Sequence, residues 1–202
     1  MGQATNKALA GYTLVEVVVA LGLSLFTLSL LYFIYVKELK AQQIREDVLD
    51  AQQRARVVMD LLSRELLMAG YDPAGLNQDA DPTNDFPGVS LNSTGLQIKA
   101  DLNGNGLLND PNETILFSHD PFTHTLRRNT GGGNQPFAED IEFFQVSLLD
   151  QAGNQTGVPT EFRAVQLVVT ARTTKPDLKY AQNGGYRTVV FQERVVPRNL
   201  AP

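Results

Sequence analysis

The segment Asp101-Leu-Asn103-Gly-Asn105-Gly106-Leu107-Leu-Asn109-Asp110-Pro-Asn112-Glu113 carries oxygen-bearing side chains at relative positions one, three and five, followed by glycine at six. That spacing suits a hard cation. Alternate side chains turn inward as the chain curls, Gly106 permits the sharp turn, and the Leu107 carbonyl supplies a further oxygen. The second half departs from the usual calcium loop: position twelve is Asn112, the acids are Asp110 and Glu113, and no helical pattern flanks the segment. The candidate Ca2+ ligands are therefore Asp101, Asn103, Asn105, Leu107, Asp110 and Glu113. Only Asp101 is charged in the first half, so a modest affinity is expected. The same Asn and Gly residues would also build a plain tight turn, and the sequence leaves both readings open.

Other chemistry has less support. His119 and His124 flank the turn HDPFTH and read as solvent-facing loop residues rather than a metal or general-base pair. The triplet Gly131-Gly132-Gly133 lacks the Lys-Ser/Thr and the strand-to-helix context of a phosphate loop, so it reads as a turn. With no cysteine, disulfides, thiolate zinc sites and cysteine nucleophiles are excluded. A net charge of -5 and a pI near 5.0 give no sign of a nucleic-acid partner. No catalytic constellation emerges, and the chain is not expected to be an enzyme.

A second anomaly lies near the N-terminus. Residues Val17 to Val36 contain no charged side chain, a run of the length a helix needs to cross a bilayer. Glu16 sits immediately before it, and a carboxylate at the edge of such a run needs a partner. A secretory signal would place a basic region first, an apolar region second and a small-residue cut third. Here Gly11 precedes the apolar run, after a short polar stretch with one cation, Lys7. A cut after Gly11 would leave the new α-amino group of Tyr12 one turn from Glu16, on its own chain or on a neighbour packed beside it.

The segment Gly11-Tyr-Thr-Leu-Val-Glu16-Val-Val-Val-Ala20 resembles the signal of type IV prepilins and pseudopilins. The resemblance implies cleavage between Gly11 and Tyr12 by a prepilin peptidase that also methylates Tyr12. It gives Thr13 and Glu16 a role in assembly, with other pilins as partners through the N-terminal helix. It also implies an inner-membrane stage with a periplasmic head before entry into a cell-surface pilus. Tyr12 stands where Phe is usual, and the run contains Gly22 but none of the prolines that bend many pilin helices. Residues Gln52 to Pro73, with Arg127-Arg128-Asn129 and Ile141-Glu142-Phe143-Phe144, are similar to PilW-type minor pilins and to the related J-type pseudopilins of type II secretion. The functions implied are a minor pilin that helps initiate or cap a type IV pilus or, alternatively, a J-type pseudopilin. A third reading is a calcium-dependent, membrane-anchored binding module.

These residues need elements to position them. No Gly or Pro interrupts Lys37 to Ala69, and Ile44, Val48, Ala51, Ala55, Val58, Leu62, Leu66 and Ala69 recur at steps of three and four, one face of an amphipathic helix. Gln53, Arg56, Asp60 and Arg64 fall on the other face, and Gly70 and Pro73 end the pattern. Residues 70–94 read as a long loop. Strand patterns follow at Gly95 to Ala100, Thr114 to Ser118, Leu126 to Arg128, Ile141 to Leu149, Ala164 to Arg172 and Tyr186 to Val196. The predicted fold class is α+β: one long N-terminal helix, apolar then amphipathic, packed on an antiparallel β-sheet head. The predicted divisions are a leader at 1–11, an assembly half of the helix at 12–36, an amphipathic half at 37–69 and a β-rich head at 70–202.

Overall fold

The computed structural model describes residues 11–93, 95–157 and 162–199 of the 202-residue chain. The predicted leader therefore lies outside the described residues except for Gly11. One helix, α1, runs from Leu14 to Met68. The chain divides into two compact units, residues 1–45 and 46–202.

In the first unit the apolar run is helical throughout, and two of its hydroxyls bond back to the helix. The Ser24 hydroxyl donates to the Ala20 carbonyl (2.7 Å) and the Thr27 hydroxyl to the Leu23 carbonyl (2.9 Å). Such back-bonding removes the cost of a hydroxyl in an apolar surrounding. The large apolar residues from Leu14 to Tyr35 are exposed all round the helix. By length and composition α1 is able to cross a membrane.

The second unit begins within α1 and contains, among the described residues, eight strands: β1 (Val89–Asn92), β2 (Gly95–Lys99), β3 (Thr114–Asp120), β4 (Thr125–Asn129), β5 (Gln135–Ala138), β6 (Ile141–Leu149), β7 (Ala164–Arg172) and β8 (Thr188–Val195). They form two antiparallel sheets rather than one, β1-β2-β3-β4-β5 and β6-β7-β8. The break has a local cause. Asp140 adopts a left-handed conformation (φ 57°), which redirects the chain after β5 so that β6 pairs forward with β7. Asp140 also accepts from Arg54 of α1, fixing the corner.

Of the helix stripe predicted from the sequence, the part from Ala51 to Ala69 is buried, whereas Ile44 and Val48 are only half-buried. Ala51, Ala55, Val58, Leu62, Leu66 and Ala69 are fully buried or nearly so, joined by Met59, while Gln53, Arg56, Asp60 and Arg64 are exposed. They pack in one cluster with Leu96, Ile98, Ile115 and Phe117 of the first sheet and Ile141, Val165, Leu167 and Val169 of the second. Phe117 and Phe137 meet edge to face at 6.3 Å. Gly95 has no alternative: with φ 143°, a Cβ there would lie 1.9 Å from the Phe117 carbonyl oxygen.

The segment read as a loop over 70–94 is partly structured. It includes β1 and a 3-10 turn at Leu76–Gln78. Asp72 accepts from the Leu76 and Asn77 N–H groups, Asn77 Oδ1 accepts from the Phe86 N–H, and Phe86 is buried. Short-range carboxylate and amide bonds thus order a stretch too rich in Gly, Pro, Asn and Asp for a regular element.

Candidate functional site

Two places correspond to the residues singled out above. The first is the start of α1. The Thr13 N–H and the Thr13 hydroxyl both donate to Glu16 Oε2 at 2.9 Å, and the Glu16 N–H donates to Thr13 Oγ1 at 3.3 Å. This is a capping box, Thr-x-x-Glu, in which each residue satisfies an N–H that the first helical turn leaves without a partner. Thr13-Leu-Val-Glu16 before an apolar run is the signature of such a cap, so Glu16 has a partner in Thr13 besides the amine expected from its own chain or a neighbour. The cap holds the Glu16 carboxylate beside Tyr12, Val17, Ala20, Leu21 and Ser24 along a shallow groove of the helix. Gly11 and Tyr12 precede the helix in irregular backbone, and Tyr12 is 89% exposed.

The second place is the loop from Asp101 to Glu113, between β2 and β3. Asp101 and Glu113 are buried, and each spends its carboxylate on backbone N–H groups. Asp101 accepts from Gly104 (2.7 Å) and Gly106 (3.1 Å), and Glu113 from Leu102 (3.2 Å) and Asp110 (3.1 Å). Asn103 and Asn105 each donate a side-chain N–H to the same oxygen, Asp110 Oδ2, at 2.8 Å. Their own oxygens accept from the Asn105 and Leu107 N–H groups (2.9 and 2.7 Å). Asn103, Asn105, Asp110 and Glu113 are thus linked in one network, which the Leu107 N–H joins through Asn105, while Asp101 holds Gly104 and Gly106 of the same curl. Gly104 and Gly106 both have positive φ, which the tight curl requires. Among the described residues no three His, Asp or Glu side chains converge as a metal-holding group. The loop as it stands is closed on itself, with amide hydrogens facing Asp110.

The two histidines differ from expectation. His119 lies on β3, half-buried, with Nε2 2.7 Å from the Ile141 carbonyl oxygen, so Nε2 carries the proton. His124 is also half-buried, in the left-handed conformation (φ 51°), with Nδ1 3.6 Å from Glu142. Neither is a solvent-facing loop residue, because the second sheet packs its first strand against this turn: the Ile141 N–H donates to the His124 carbonyl.

A polar network that sequence reasoning missed lies beside them. Arg54 pairs with Asp140 and donates to the Thr174 hydroxyl (3.1 Å), Arg172 approaches Asp140 (3.6 Å) and Glu142 (3.4 Å), and Thr174 donates to Asp140 (3.0 Å). These residues are separated by up to 120 positions in sequence, and no local pattern announces such a pairing. Next to them a cleft of about 540 Å³ is lined by Val57, Val58, Phe137, Ala138, Glu139 and Arg54. At the other end of the sheets Arg128 pairs with Glu65 of α1 at 2.7 Å.

Two turns of the head are built around an aspartate. Asp120 accepts from the Thr123 hydroxyl (2.8 Å) and the Phe122 N–H (2.9 Å), which hold its carboxyl below the ordinary aspartate range. Asp177 is lowered chiefly by its bond from Arg187 (2.8 Å) and also by the Lys179 N–H (3.0 Å).

No family model and no curated protein matches this sequence. A solved structure of a type IV-like pilin from Thermus thermophilus is similar, with 16% identity, 74% of this chain and 98% of that chain covered, and a TM-score of 0.43. Identity at that level carries no residue's role from one chain to the other.

Proposed function

We propose that this chain is a minor pilin that enters a type IV pilus and helps initiate or cap its assembly. The observation that carries the reading is the surface of the first half of α1. Its large apolar residues from Leu14 to Tyr35 are between 47% and 83% exposed on every side. A helix apolar all round is stable only when lipid or other helices cover it. The capped carboxylate of Glu16 at the start of such a helix supports the same reading. Thr13 fixes where the carboxylate lies, so that the cationic N-terminus of a neighbouring subunit has a defined partner when helices pack side by side. Gly11 is exposed in irregular backbone, and among the described residues nothing lies within 4 Å of where its Cβ would stand, which supports access by a peptidase.

N-terminal sequencing and mass spectrometry of membrane-extracted protein test the proposal. The expected mature chain starts at methylated Tyr12, and an intact Met1 rules the reading out. Glu16→Ala should leave processing intact and reduce recovery in sheared surface filaments. Recovery in a periplasmic secretion filament rather than a surface pilus would identify the J-type pseudopilin instead.

Loop 101–113 is proposed as a Ca2+ site of the head. The supporting observation is the convergence of Asn103 and Asn105 on one oxygen of Asp110. Two amide hydrogens occupy the side of that carboxylate on which a cation would sit, so binding would displace them and release the Asn105 and Leu107 N–H groups that the two amide oxygens accept from. Calorimetric titration of the chain with Ca2+ is expected to release or absorb heat, abolished by Asp110→Asn. No heat and no shift in melting temperature with chelator would leave the plain turn.

A further inference from the structure

Phe122 and Leu178 are the outliers of the head surface. They are 93% and 98% exposed, whereas no other large apolar residue described from position 46 onward exceeds 61%. They come from different hairpins, Phe122 from the β3–β4 turn and Leu178 from the β7–β8 loop. Each is presented by the same device, an aspartate that holds the turn from within. Asp120 accepts from the Phe122 N–H, with Pro121 stiffening the residue between. Asp177 is tied to Arg187, its own N–H donates to the Gly185 carbonyl (2.8 Å), and its carbonyl accepts from the Tyr180 N–H (2.9 Å). Both apolar tips are therefore pushed into solvent by ordered turns rather than by fraying.

The turns share one end of the head. The His124 carbonyl accepts from the Ile141 N–H, Ile141 pairs with Ala171, and Arg172 pairs with Thr188, so the β3–β4 turn and the β7–β8 loop flank the same edge. Arg54 marks that end through Asp140 and Thr174. The opposite end is marked by Glu65 with Arg128 and by the Gly70 N–H on the Lys99 carbonyl.

We infer that this end of the head docks on a lipid surface, with the Phe122 and Leu178 side chains entering the headgroup region. The inference rests on the membrane-anchored stage of the reading above. Two features favour lipid over a protein partner. A protein interface requires a contiguous, complementary patch, whereas Phe122 and Leu178 are single protrusions from separate turns, the form that inserts between mobile headgroups. Lys175 and Lys179, both exposed, flank Leu178, and cations beside an apolar side chain suit an anionic bilayer surface.

The chain contains no tryptophan, which allows a direct test on the full-length protein. Phe122→Trp, Leu178→Trp and, as a control at the opposite end, Met68→Trp would each be reconstituted in vesicles of phosphatidylcholine and phosphatidylglycerol bearing brominated acyl chains. Side chains docked about 5–10 Å into the interface should lose emission by about twofold or more and shift to the blue at positions 122 and 178, while position 68 stays near its value in unbrominated vesicles. Protein that floats with the vesicles but shows quenching at neither or only one of the two tips overturns the docking inference and leaves the anchored reading standing. Protein that does not float overturns both.

Discussion

The two halves of α1 have the same secondary structure and opposite surroundings. From Leu14 to Tyr35 every large apolar side chain is exposed, on all sides of the helix. From Ala51 to Ala69 most apolar residues keep to one stripe, which the strands of the same chain cover, and only Val57 and Met68 among the large ones are exposed. The contrast separates what a helix needs to form from what it needs to persist. The Thr13–Glu16 cap satisfies the first turn of the first half, but the described residues leave its apolar side chains exposed. The second half carries its own cover. Residue size follows the same division: small side chains at Ala51 and Ala55 let the sheets approach closely, whereas the first half offers Phe26, Tyr32, Phe33 and Tyr35 to a surrounding with no fixed shape.

The largest test of that contrast is a pair of matched truncations. Leu62→Ala, at a fully buried position, should destabilise the head by about 2–5 kcal/mol in chemical denaturation. Leu28→Ala, 61% exposed in the first half, should leave the same transition within about 0.5 kcal/mol. Equal effects would mean that the two halves do not differ as described. A smaller effect is expected at the Arg54 corner, where both partners are less than a third exposed. Arg54→Ala removes the ion-pair partner of Asp140, which keeps its bond from Thr174, and the donor to the Thr174 hydroxyl, at a cost of about 1–3 kcal/mol by the same measurement. Its hydrogen-exchange protection should fall at β6 and the β7–β8 loop more than at β1 and β2, and a uniform change would argue against a local corner.

The smallest effect concerns pH. Asp177 has a folded pKa lowered from 3.8, first by the Arg187 hydrogen bond. A depressed carboxylate stabilises the fold above its unfolded value and loses that contribution as pH falls through the folded value. The melting temperature of the head should therefore be insensitive to this group above about pH 4 and decline below it. Asp177→Asn should flatten part of the decline, read by calorimetry between the two pH regimes, and an unchanged acid slope would remove Asp177 from the account.

Much of this architecture was legible in the sequence where the signal is periodic. The helix, the stripe from Ala51 to Ala69 and the longer strands β2, β3, β6, β7 and β8 follow from repeats of 3.6 and 2. The four-residue strands β1 and β5 were not legible, since four residues carry little alternation and β5 contains Pro136. The split into two sheets was hidden as well, because it depends on one left-handed residue, Asp140, and on a helix arginine 86 positions away. For the same reason His119 and His124 read as solvent residues, although strand β6 covers them. At the candidate sites the sequence named Glu16 and the loop ligands, and the Thr-x-x-Glu pattern was present to be read. What each carboxylate bonds became visible only once the backbone N–H groups were placed around it.

The pairing order of the head also has a kinetic meaning. Every strand bonds only to its neighbour in sequence, so both sheets can be assembled hairpin by hairpin with small loop-closure entropies. The contacts that seat α1 are of another kind, spanning 86 residues between Arg54 and Asp140 and 131 between Met68 and Asn199. They carry a larger closure entropy than the hairpins do. Until they form, the stripe from Ala51 to Ala69 is as bare as the run before it. A nascent chain therefore presents one continuous apolar helix flank, and completing the head is what shortens that flank to the part meant for other surroundings.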